Sequence, residues 1–166
     1  MAPSHRIDSA TVDEARTLLT TCCGSSAWVN RMIALRPLRN DQALFEAARR
    51  EWFALGPEDW QEAFAQHPRI GDREQLRARF PATHQLSESE QAGIGGAPDN
   101  ILDALAAANS SYEGRFGFIF IVCATGKSAA EILDLLHARL QNDPASELRV
   151  AASEQARITE LRLRRL

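Results

Sequence analysis

Apolar residues recur along most of this chain at intervals of three and four, the spacing that lines one face of an α-helix. Ala15, Leu18 and Leu19 share one such face, in a helix that the cap candidates and early acids of residues 8–14 open and that runs to about Thr21. Trp28, Met32 and Leu35 mark a second helix from about residue 26 to 34, after Gly24 and before Pro37. Leu44, Ala47, Ala48 and Trp52 mark a third over about 40–55, which Gly56 ends. Pro57, Glu58 and Asp59 form a good first turn, since proline lacks an N–H where none is needed and the acids face the positive end of the helix dipole. Trp60, Ala63, Phe64 and His67 follow at steps of three, one and three. Pro68 then disfavours the α conformation at His67, so the helix should stop there. Further helices are predicted over about 72–79, from Ser87 to Gln91 as a single turn, over 99–112, from Ser128 to about residue 140, and over 144–166.

One stretch breaks the pattern. Residues 115–123 read Arg-Phe-Gly-Phe-Ile-Phe-Ile-Val-Cys, an aromatic and β-branched run with a strand-like composition. No second strand is available to pair with it, and a lone strand cannot satisfy its ladder. The expectation is an irregular, extended, buried segment near 116–124 whose backbone groups bond to helices, water or a ligand. The predicted fold is all-α: a single-domain bundle of roughly eight helices spanning residues 1–166.

Composition narrows the function classes. The 166 residues are 45% hydrophobic and 25% charged, with a formal net charge of -3, which gives no electrostatic reason to expect nucleic acid or a membrane surface as partner. Three cysteines, two of them adjacent (Cys22 and Cys23) and one in the apolar run (Cys123), form no Cys-x-x-Cys spacing. They fit a reduced, cytoplasmic protein, and no signal segment or membrane span is apparent.

Candidate chemistry centres on three places. His67 lies on the apolar stripe of its helix, at the C-terminal end. Position alone leaves it either a packed core residue or an acid–base group; the dipole there favours imidazolium while burial opposes it, which suits proton transfer near neutrality. Ser87-Glu88-Ser89-Glu90 has the spelling of a capping box, with Ser87 as N-cap and Glu90 reaching back. Gln91 then occupies a position where an apolar staple is usual, which favours a polar site. Arg162 falls inside the stripe of Ile158, Leu161 and Leu166. A buried guanidinium there calls for an anion or rich hydrogen bonding, although Glu154 and Arg165 share the arc and leave an ion pair equally open. No histidine has a second ligand at metal spacing, so no metal site is expected.

Taken together, Gln-His-Pro-Arg-Ile-Gly-Asp (66–72), Ser-x-x-Glu-Gln-Ala-Gly (87–93), the run from Asn109 through Arg115 to Gly126, and Ile-Thr-Glu-Leu-Arg-Leu (158–163) closely resemble the 2-oxo-4-hydroxy-4-carboxy-5-ureidoimidazoline (OHCU) decarboxylases of urate breakdown. The resemblance covers nearly the whole chain. It implies a cofactor-independent, metal-free homodimer that decarboxylates OHCU to (S)-allantoin. It further implies His67 as proton donor, Glu90 as a polar partner of the substrate and Arg162 as a source of positive charge. Pro68, Ser87, Glu88, Ser89, Glu90, Gln91, Ile119, Phe120, Ile121, Val122 and Cys123 would line the pocket. The rival reading is a non-enzymatic helical module of the same fold that binds a ureide or a protein.

Overall fold

The computed structural model describes residues 1–68 and 99–166, so the predicted helix at 72–79 and helical turn at 87–91 lie outside the described residues. Every element described is a helix: α1 (Pro3–Ser9), α2 (Val12–Cys22), α3 (Ser26–Ala34), α4 (Asp41–Phe53), α5 (Pro57–Ala65), α6 (Asp99–Phe116), α7 (Ala129–Arg139) and α8 (Pro144–Arg164). The all-α expectation therefore holds. None of these helices is long and apolar enough to cross a membrane.

The chain divides into two compact units, Met1–Ala63 with Gln155–Leu166, and Phe64–Glu154. In the first unit α1 packs on α2 and α4, and α3 packs on both α2 and α4. The stripes read from the sequence are its core: Ala15, Leu19, Trp28, Met32, Leu44, Ala47, Ala48 and Trp52 are all buried. Leu35, predicted to face inward, is instead partly exposed, because it is the C-cap of α3 and its turn has already tightened. The Trp28 indole N–H donates to the Ala48 carbonyl at 3.0 Å and ties α3 to α4. The first predicted helix is α2, capped by Thr11, and a short helix that was not predicted, α1, precedes it. Pro3 opens α1 at a position suited to proline, and Ser4 donates from both its backbone N–H and its hydroxyl to Asp41 Oδ1 at 2.9 and 2.7 Å. A seven-residue helix this short depends on such tertiary anchoring, which a local reading does not detect.

In the second unit α6 packs on α7 around Leu105, Ala108, Tyr112, Ile132 and Leu136. The helix α6 runs a turn beyond its predicted end, to Phe116. It closes on Gly117, whose N–H donates to the Glu113 carbonyl at 2.8 Å with φ near 80°, a conformation that glycine adopts at helix C-termini without strain. Residues 117–124 then run without regular structure, and Phe120, Val122 and Ala124 join the core of the unit.

Candidate functional site

The helix α5 ends at Ala65, and the His67 N–H donates to the Phe64 carbonyl at 3.1 Å, so the final turn is tighter than an α-turn. The histidine is thus placed just past the helix, two residues beyond the last helical position, as the Pro68 clash requires. It is 9% exposed, and Pro68 is buried beside it. Phe64, fully buried, sets the position of this turn. Its ring lies 5.3 Å from that of Phe118, which in turn lies 5.8 Å from Tyr112. Within the second unit, the turn that carries His67 and the irregular segment are therefore held by one aromatic cluster, which Phe116 and Phe120 complete at 4.7 and 5.2 Å from Tyr112.

Three backbone groups of the irregular segment find side-chain partners in place of a partner strand. Arg139 donates through Nη1 to the Ile121 carbonyl at 2.6 Å. The Cys123 N–H donates to Glu154 Oε2 at 2.8 Å, and Lys127 Nζ donates to the Cys123 carbonyl at 2.9 Å. Phe120, Ile121, Val122 and Cys123 are buried, while Ile119 is half-buried. Glu154, read from the sequence as a candidate ion-pair partner for Arg162, accepts a backbone hydrogen bond from the segment.

Arg162 belongs to the first unit and is 6% exposed, as its place on the apolar stripe of α8 predicts; Arg157, nearer the edge of that stripe, is exposed. Its Nη1 lies 3.5 Å from the Thr21 carbonyl. Around it is a polar set that the sequence did not disclose. Gln155 and Thr159 are buried one turn apart, with Gln155 Nε2 donating to Thr159 Oγ1 at 3.0 Å. Cys23 is fully buried, and burial pushes its thiol up to about 11; hydrogen bonds from Ser25 and Thr159 and the Arg162 charge pull the other way. Glu62 accepts from the Ser26 N–H and hydroxyl at 3.1 and 2.7 Å and fixes the start of α3.

His67 and Arg162 thus occupy buried helix-end and helix-face positions in different units. Ser87, Glu88, Ser89, Glu90 and Gln91 lie outside the described residues. The sequence reading missed the buried trio Tyr112, Arg139 and Glu147. The signal was available: Arg139 follows Ile132 and Leu136 at steps of four and three, on an apolar stripe like that of Arg162. Among the described residues, no three His, Cys, Asp or Glu side chains converge as metal ligands do.

The chain is a member of the OHCU decarboxylase family, whose sequence profile it matches over residues 8–164. It is 38% identical over 146 residues to the uric acid degradation bifunctional protein TTL of Arabidopsis thaliana, covering 87% of this chain and 45% of that protein. It is 37% identical over 134 residues to the 2-oxo-4-hydroxy-4-carboxy-5-ureidoimidazoline decarboxylase of Amia calva, covering 77% of this chain and 73% of the relative. A crystal structure of OHCU decarboxylase in the presence of (S)-allantoin superposes with a TM-score of 0.72 at 38% identity, over 87% of this chain and 92% of that one. A crystal structure of (S)-allantoin synthase shares the fold, with a TM-score of 0.69 at 17% identity.

Proposed function

We propose that this chain catalyses the decarboxylation of OHCU to (S)-allantoin, a step of urate breakdown. The observation that carries the reading is the family match over residues 8–164, within which the histidine of the Gln-His-Pro motif is buried at a forced helix stop. The chemistry suits such a site. Loss of CO2 leaves an electron pair on the ring carbon, and the imidazoline delocalises it into its own C=N and C=O groups. The protein then has to orient the carboxylate, stabilise the developing anion and deliver a proton to one face.

In this reading His67 interacts with the 4-hydroxyl and is the proton donor, Glu90 is a polar partner of the substrate, and Arg162 supplies positive charge. A guanidinium locked onto the departing carboxylate would stabilise the ground state, so Arg162 helps most where it serves the delocalised anion. Pro68, Ser87, Glu88, Ser89, Gln91 and the run from Ile119 to Cys123 form the walls, and backbone N–H groups of that run other than that of Cys123, which Glu154 holds, face the ring oxygen. The whole chain, 1–166, acts as one domain, and the working protein is a cytoplasmic homodimer without cofactor. The resemblance of the four motifs supports these assignments.

OHCU generated freshly from urate with urate oxidase and hydroxyisourate hydrolase is the test substrate. Faster decay, CO2 release and optically active allantoin in the presence of the protein are expected; unchanged decay or a racemic product sinks the reading and leaves the binding module. His67→Asn should reduce the turnover rate by about 10²- to 10⁴-fold, the usual share of general acid–base catalysis, and erase the stereochemical preference. Wild-type rate and selectivity in that variant would remove the histidine from the proton-transfer step.

A further inference from the structure

The irregular segment is held at three points, and one of them is over-built. Arg139 is 8% exposed and Glu147 fully buried. The guanidinium donates through Nε at 2.8 Å and approaches through Nη2 at 2.6 Å, both to Glu147 Oε1, while Nη1 reaches the Ile121 carbonyl at 2.6 Å. Its Cζ lies 4.4 Å from the centre of the Phe120 ring. Glu147 is oriented in turn by the Tyr112 hydroxyl on Oε1 and by Asn142 Nδ2 on Oε2 at 2.8 Å. The Tyr112 ring is the centre of the aromatic cluster that includes Phe64, three residues before His67.

A buried ion pair is a poor way to gain stability, since desolvating both charges offsets their attraction and apolar residues of similar volume do as well. What this pair supplies is direction. In a trans peptide the carbonyl and the following N–H point opposite ways, so fixing the Ile121 carbonyl on Arg139 turns the Val122 N–H to the other side of the segment. The contact with Phe120 fixes the neighbouring side chain at the same time. A strand would obtain this from its ladder; here Arg139 replaces the ladder.

We propose that Arg139, oriented by Glu147 and Tyr112, is a positioning residue that sets the peptide run Ile119–Cys123 in the conformation that receives OHCU; this rests on the reading that the run lines the decarboxylase site. Arg139 touches no substrate and acts through the backbone it holds.

The test compares the full-length wild type with Arg139→Met/Glu147→Gln, a pair that leaves no uncompensated charge and keeps a partner for Tyr112 and Asn142. Expected is a folded protein whose kcat for OHCU falls about 10- to 100-fold, the scale of a misplaced reacting geometry, with reduced enantiomeric excess of the allantoin. A merely structural role would lower the unfolding midpoint and leave kcat per folded molecule, KM and enantiomeric excess unchanged; that result overturns the proposal. Should the double variant fail to fold, Arg139→Lys decides: its ammonium keeps the charge opposite Glu147 but cannot span both partners with a planar fork. Lower kcat and enantiomeric excess in the lysine variant support the proposal, and wild-type values overturn it. A wild type that leaves OHCU decay unchanged overturns the decarboxylase reading and the positioning role together, which separates that failure from the other.

Discussion

At the scale of single residues, burial decides which groups are reactive. Cys23 lies at the C-cap of α2 with no exposed surface, and its thiol is pushed up to about 11 by burial despite the opposing Arg162 charge. A group in that state is almost wholly the neutral thiol at neutral and mildly alkaline pH, and the thiol is not the nucleophile. Cys22 is equally inaccessible. In a Cys123→Ser background, therefore, an aromatic disulfide reagent at about pH 8 should label neither remaining cysteine faster than the protein unfolds, a rate that added urea should raise. Rapid labelling in native buffer would mean that the α2–α3 junction opens on its own. The same burial gives His67 and Arg162 their meaning: each sits where the spacing of its apolar neighbours said it would, and each is a polar group that the surrounding core must accommodate.

At the scale of elements, the helices start where short polar side chains replace missing backbone partners. Thr11 and Ser128 cap α2 and α7 through reciprocal boxes with Glu14 and Glu131, while Ser25 and Asn40 cap α3 and α4. Hydrogen bonds from the cap backbone first, and the cap hydroxyl second, hold the carboxyls of Glu14 and Glu131 below their ordinary value of 4.5. Because the folded value is the lower one, the contribution is present above the ordinary value and is lost as pH falls through the folded one. Glu14→Gln/Glu131→Gln should therefore be less stable than wild type at neutral pH, with the gap closing as the pH is taken well below the ordinary value of 4.5, as urea unfolding at neutral and acid pH would read. A gap that stays constant with pH would assign the effect to packing instead. Capping is a local code, which explains why helix starts were legible in the sequence. Helix ends were less so: α5 stops two residues before His67, and α6 gains a turn that only its Gly117 closure defines. The start of α1 escaped notice because Asp41, distant in sequence, anchors it.

At the scale of the whole molecule, the fold class followed from period and from one negative argument, that a strand-like run with no partner strand cannot remain a strand. The run 117–124 is indeed irregular, with the Ile121 and Cys123 carbonyls held by Arg139 and Lys127 and the Cys123 N–H by Glu154. The apolar stripe marks Arg139 as buried, but that Ile121 and Glu147 are its partners was not legible, because tertiary packing alone brings them together. The candidate site was legible chiefly through its four motifs, since no single one of them distinguishes core histidine from catalyst or cap from substrate contact. The proposed reaction has a whole-molecule consequence. The imidazoline ring is its own electron sink, so the decarboxylation asks the protein only for orientation, charge and a proton. Protein dialysed against EDTA, then freed of chelator and small molecules by gel filtration, should turn over OHCU at the untreated rate and with the same enantiomeric excess. A loss of rate restored by one divalent cation, with the unfolding midpoint unchanged, would show that a metal joins the chemistry and that the substrate's own delocalisation does not suffice. A loss restored by no metal but by low-molecular-mass extract would show the same of an organic cofactor.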